Sequence, residues 1–163
     1  MLDSTVLKND LVALLSNGAG TPEKAAEDWA TIYSKYAANA VGWADSPVIL
    51  ASTKSALQGT LLAQFATPSI SYDKVLTTSL YIASALQTFW LVPPVNFVIG
   101  VVPSSVVTVV AGTTALDSSL KIIFNARAGT WESQAQLLAL AIDMFTKTVI
   151  VTQISTGFPK NLT

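Results

Sequence analysis

A mainly α fold of about six helices with a small β element is predicted by three observations. Cap residues stand directly before apolar segments, those segments carry leucine and alanine at helical spacing, and two stretches near 97–111 and 148–154 are instead rich in β-branched residues. At 163 residues the chain fits one domain, 1–163, with a core of its own. Within it, 95–111 is a candidate extended arm or hairpin.

The first helix is expected from Asp3 or Ser4 to about Ser16, with Val6, Leu7, Leu11, Leu14 and Leu15 at helical spacing and Asn17-Gly18 as its stop. Thr21-Pro22-Glu23 reads as N-cap, N1 proline and first-turn acid. The helix it opens is predicted to reach Trp43, with Trp29, Ile32, Tyr33 and Tyr36 as a bulky stripe among alanines. Ser46-Pro47 repeats the start signal for a third helix over Val48 to Phe65, stopped at Thr67-Pro68. Ser71 and Asp73 open a fourth from Tyr72 to about Trp90, closed by Pro93-Pro94.

From Val95 the texture turns β-branched, and Pro103-Ser104-Ser105 divides it, which suggests a short hairpin or an extended arm. Thr114, with Asp117 as a capping-box-like acid, begins a fifth helix that stops at Ala128-Gly129. Thr130-Trp131-Glu132 opens the sixth, and its tail, Thr146 to Ile154, reads as a strand.

Only 12% of the residues are charged and 51% are hydrophobic, where a soluble domain carries about 25% charge. Between Lys74 and Asp117 there is no charged side chain at all. Lipid or protein must cover what this surface lacks in charge. A spanning helix needs about 20 consecutive, mostly apolar residues. Leu76 to Trp90 is broken by Thr77, Thr78, Ser79, Ser84, Gln87 and Thr88, and the next apolar stretch by Pro93, Pro94, Gly100 and Pro103. Burial against other protein is therefore preferred. The interface candidates are Phe89, Trp90, Phe97, Val101, Val107, Val109, Val149 and Val151, apolar residues of the uncharged middle and the C-terminal strand.

The chain has no histidine and no cysteine, which removes the commonest acid-base and nucleophilic groups, and with cysteine any thiolate metal site. Its acids mostly stand at helix starts, where they complement the helix dipole. Asp143 is the exception and is expected to pair with Lys147 four residues on. Glu27-Asp28 reads as a solvated face, and Gly18-Ala19-Gly20-Thr21 lacks the GK[ST] ending of a phosphate loop. No catalytic, cofactor or metal site is expected. With a net charge of −1 and scattered lysines and arginines, nucleic acid is not an expected partner. The N-terminus has acids where a secretion signal would be basic, the pattern expected of a mature, cytoplasmically made protein.

Three stretches of the C-terminal half carry a resemblance: Leu86-Gln87-Thr88-Phe89-Trp90 followed by Pro93-Pro94; Ala111-Gly112-Thr113-Thr114-Ala115-Leu116 leading to Ile123-Phe124; and Ala139-Leu140-Ala141-Ile142-Asp143 running into Thr146 to Thr152. Together they resemble small virion structural proteins of tailed bacteriophages. The resemblance implies a neck, tail or baseplate subunit present in many copies. It implies no enzyme and no cofactor, copies of itself and other virion proteins as partners, and a place in the virion after synthesis in the host cytoplasm. The alternative reading is a membrane-active protein, a pore or lysis factor, that uses the uncharged 75–116 segment. A third is a small-ligand binding helical domain or enzyme with an apolar pocket near Trp90 and Trp131.

Overall fold

The computed structural model describes residues 1–18, 20–66, 73–126 and 129–163, and of 73–77 the backbone alone. Six helices and a five-stranded antiparallel sheet are seen among them, so the fold is mainly α with a small β element. The helices are α1 (Ser4–Asn17), α2 (Pro22–Ala37), α3 (Ala51–Phe65), α4 (Asp73–Leu91), α5 (Thr113–Ala126) and α6 (Trp131–Thr146). The strands are β1 (Ser46–Pro47), β2 (Asn96–Ile99), β3 (Val102–Val110), β4 (Val149–Gln153) and β5 (Pro159–Asn161).

Three helix starts are capped by the expected residues. Asp3 accepts from Thr5 N, Thr21 from Lys24 N and Thr130 from Ser133 N. Each helix packs on its sequence neighbours, and α6 closes back on α1, so the six form a ring around a shared apolar interior. α4 explains half of the missing charge. Ile82, Ala83, Ala85, Leu86, Phe89 and Trp90 are all buried, an arc too wide to leave room for more than a narrow polar edge.

The sheet follows chain order, β1-β2-β3-β4-β5. Two helix pairs, α3–α4 and α5–α6, are inserted between β1 and β2 and between β3 and β4. A helix pair returns the chain to the end of the sheet it left, which is why the strands it joins are antiparallel neighbours. The sheet consequently has two unlike ends. At one end the chain passes to and from the inserted helix pairs; at the other it makes the tight turns at 100–101 between β2 and β3 and at 154–158 between β4 and β5, and there the 42–45 turn leads from α2 into β1.

Four expectations need correction. The second helix stops at Ala37 rather than Trp43, because the Asn39 amide donates to Lys35 O at 2.9 Å and the chain then turns into the sheet. Ser46-Pro47 begins no helix but is strand β1, paired to Val98 and Phe97; an edge strand tolerates a proline because no ladder donor is needed there. α3 begins at Ala51, without a side-chain cap bond. Asp117 is not a cap residue but is buried one turn into α5. Residues 96–110 form an intramolecular hairpin with a bulge in each flanking ladder, and β5 is a strand that no alternation announced. The Thr67-Pro68 stop, the Ser71 start and Ala128 lie outside the described residues, as does Ala19.

Candidate interaction surface

The buried polar groups come first, because a catalytic site would be built from them. Asp45 is 2% exposed and sits between α2 and β1. Its Oδ1 accepts from Trp43 N at 2.7 Å, and its Oδ2 from Ser104 Oγ at 2.6 Å and Ser105 Oγ at 2.5 Å. Consecutive side chains of a strand point to opposite faces, so two adjacent serines reach one carboxylate only because the register shifts at this point. Burial raises the carboxyl pKa, but the hydrogen bonds from Ser104, Ser105 and the backbone amides outweigh it and hold the group below its ordinary value. The carboxylate acts as a clamp that ties the 42–45 turn to β3.

The turn itself is crowded. A Cβ added at Gly42 would stand 2.7 Å from Val151 Cγ2 and 2.8 Å from Asp45 Oδ1. Gly42→Ala is therefore expected to cost about 1–3 kcal/mol, read as a lower urea midpoint with unchanged slope; an unchanged midpoint would show that the turn relaxes freely.

A second group lies among the helices. Trp90 Nε1 donates to Tyr33 Oη at 2.7 Å, and Thr146 Oγ1 donates to Ile142 O at 2.8 Å. Tyr33 and Thr146 are 3.1 Å apart, so with the threonine proton already committed the tyrosine is the donor between them. The relay runs in one direction from Trp90 to the α6 backbone. Burial pushes the Tyr33 hydroxyl pKa up, so it stays protonated.

Asp143 and Asp117 are related cases. Each is buried, pairs with the lysine four residues on (Lys147 at 2.8 Å, Lys121 at 2.6 Å) and accepts from another helix, from Tyr36 Oη at 2.5 Å and Ser79 Oγ at 2.8 Å. The Asp143–Lys147 pair is the expected one; its link to α2 was not expected. Burial, then the hydrogen bond to Asp143, pushes the Tyr36 pKa up. These networks join elements, each carboxylate using both its oxygens to hold a neighbouring helix and its own lysine. Among the described residues no group of three or more acids is placed to hold a metal. The groove between α1 and α2, about 500 Å³, is lined by Asp10, Lys24 and Asp28, all in ion pairs. Trp90 is enclosed by Tyr33, Phe89 and Phe97, and Trp131 is half exposed at the start of α6, so packed core and a solvent-facing ring stand where the third reading placed an apolar pocket.

The expected interface residues divide sharply. Phe89, Trp90, Phe97, Val107, Val149 and Val151 are buried in the chain's own core and are unavailable to a partner in this fold. That is a correction with a simple cause: β-branched and aromatic residues look alike in sequence whether they face the helices or a neighbour. Val101 and Val109 are exposed, Val101 at 93%.

The helices cover one face of the sheet. The other presents Asn96, Val98, Val106, Ile150, Thr152 and Asn161, half-buried or exposed and with no charge among them. At the turn end Ile99, Val101, Val102, Ile154 and Phe158 are each more than half exposed. The two turns lie side by side, since Ile154 N donates to Ser104 O at 2.9 Å. Together the five leave several hundred Å² of apolar surface open, a large part of the ~800 Å² one partner brings to a standard interface. Ile99, Val102, Ile154 and Phe158 were not singled out from sequence; their only signal is that they flank turn glycines at 100 and 157 without being polar.

Comparison of the chain with protein-family models, with curated proteins and with solved structures finds no match.

Proposed function

We propose that the chain is a non-enzymatic structural subunit of a multi-copy protein assembly, joined to its neighbours by apolar contacts at the turn end of the sheet. The observation that carries this is the patch of Ile99, Val101, Val102, Ile154 and Phe158, contiguous with an uncharged sheet face. A patch of this size stands in the range of about 300–600 Å² for the largest patch on a typical monomer, where such patches often serve a function. Strand addition at the edges is disfavoured: β1 is two residues long with a proline, and β5 carries Pro159 and Lys160. The contact is therefore made through the turn end and face rather than through an edge.

The resemblance of the C-terminal half to small virion proteins of tailed bacteriophages gives this assembly its concrete form, a neck, tail or baseplate component made in the host cytoplasm and incorporated into the virion. The membrane reading has less support, since no helix among the described residues is long and apolar enough to cross a membrane.

Native mass spectrometry and electron microscopy of the purified chain across a concentration series test the proposal. Discrete higher species of regular stoichiometry are expected. A single monomeric species throughout would overturn it.

A further inference from the structure

We propose that copies of the chain join head to tail, the Val101 tip of one entering the cleft between α5 and α6 of the next. This rests on the multi-copy reading above and specifies its contact.

The tip is anomalous as a turn. Ile99 pairs with Val102, leaving Gly100-Val101 as a two-residue connection. Gly100 has φ +66° and Val101 is not in the left-handed region, the pattern of a type II′ turn with glycine in its first central position. The second central position of such a turn is ordinarily polar or small, because it points into water. Here it holds a β-branched valine, 93% exposed and flanked by exposed Ile99 and Val102. Folding of the hairpin gives no reason for that side chain.

The cleft is of matching kind. It is about 110 Å³ and is lined by Gly112, Ala115, Leu116, Ala141, Met144 and Phe145, with Ser119 and Thr148 at its polar margin. No charged residue lines it. At about 110 Å³, against roughly 150 Å³ for a closed cavity that takes a benzene ring, it has room for one branched aliphatic side chain. Met144 on its rim is exposed, a side chain able to adapt to what enters.

Placement decides the partner. Val101 precedes the first residue of β3, and Gly112 and Thr148 stand at the far end of the same β3–β4 ladder, where Val110 pairs with Val149. Tip and cleft are thus at opposite ends of one rigid element and cannot meet within a chain. β3 has nine residues, which at 3.3 Å each set tip and cleft about 30 Å apart. A knob and a hole on opposite ends form a heterologous contact, which propagates to a ring or a filament rather than stopping at a two-fold dimer.

The test uses two surface variants of the full chain. Val101→Asp removes the knob and leaves the cleft; Ala115→Arg, at an exposed position of α5, closes the cleft and leaves the knob. Each alone is expected to lose all species above the monomer in native mass spectra. Mixed in equal amounts they are expected to form a 1:1 dimer and nothing larger, since one intact knob and one intact cleft remain. Recovery of that dimer also shows that both variants fold. In electron microscopy the wild-type assembly is expected to repeat at roughly 30–40 Å.

Wild-type assembly that persists in Val101→Asp, or a mixture that stays monomeric, overturns the head-to-tail contact while leaving the multi-copy reading standing. A monomeric wild type sinks both. Should the monomeric wild type float with phosphatidylcholine vesicles and Val101→Asp not do so, the tip's occupant is lipid and the proposal falls.

Discussion

Asp45→Ala is expected to lower stability by about 3–4 kcal/mol, near the range seen when one partner of a buried charged network is removed. The carboxylate accepts from Trp43 N, Ser104 Oγ and Ser105 Oγ, and Ser105 is itself fully buried. Alanine leaves the buried Ser105 hydroxyl and the Trp43 amide without their acceptor. For a chain of this length the loss corresponds to roughly 6–16 °C in Tm. A fall of less than about 1 kcal/mol in urea titration would show that the serines find other partners.

The same group predicts a pH signature. Its folded-state pKa is depressed, so its stabilisation is complete above the unfolded value of about 3.9 and is lost as pH falls through the lower folded-state value. Asp45→Asn keeps the shape and removes this dependence. Between neutral pH and about pH 5 the gap in urea midpoint between wild type and Asp45→Asn should stay constant, and below about pH 4 it should narrow. A gap that widens in acid would contradict a depressed pKa.

The second large effect concerns the Trp90 relay. Trp90→Ala removes the largest fully buried side chain, packed edge-on against Phe89 and stacked on Phe97, and is expected to cost about 3–5 kcal/mol. Tyr33→Phe is expected to cost about 1–3 kcal/mol by a different route, because the Trp90 N–H and the Thr146 oxygen each lose a partner where no water reaches. A double-mutant cycle separates the two causes. In a Trp90→Phe background there is no indole donor left to strand, so Tyr33→Phe should cost less than it does in the wild type. Equal costs in both backgrounds would mean that the relay contributes packing alone.

These residues also show which features were legible without coordinates. Helix α1 and the starts of α2 and α6 were placed nearly to the residue, because Asp3, Thr21 and Thr130 cap by local chemistry, and leucines at helical spacing located α4 and α5. The hairpin at 96–110 and the strand after Thr146 followed from β-branched texture. Local signals failed where a residue serves two purposes: Ser46-Pro47 reads equally as a helix start or an edge strand, and its pairing to β2, fifty residues on, decided between them.

The candidate surface was half legible. Absence of charge from Lys74 to Asp117 is a property of the chain, and it marked the segment that both fills the core and forms the turn end. Which residues do which depends on the register of β2 and β3 and on a bulge at Ser104, and a shift of one residue exchanges the two faces. Phe97 and Val107 thereby went inside, Val98 and Val106 to the other face, and Val101 was left at the turn. Composition and local propensity determined most of the helices, the absence of histidine and cysteine, and the excess of apolar residues over charge. Only tertiary pairing decided where that surface lies, because strand register is set by contacts between residues far apart in the chain, and no local preference encodes it.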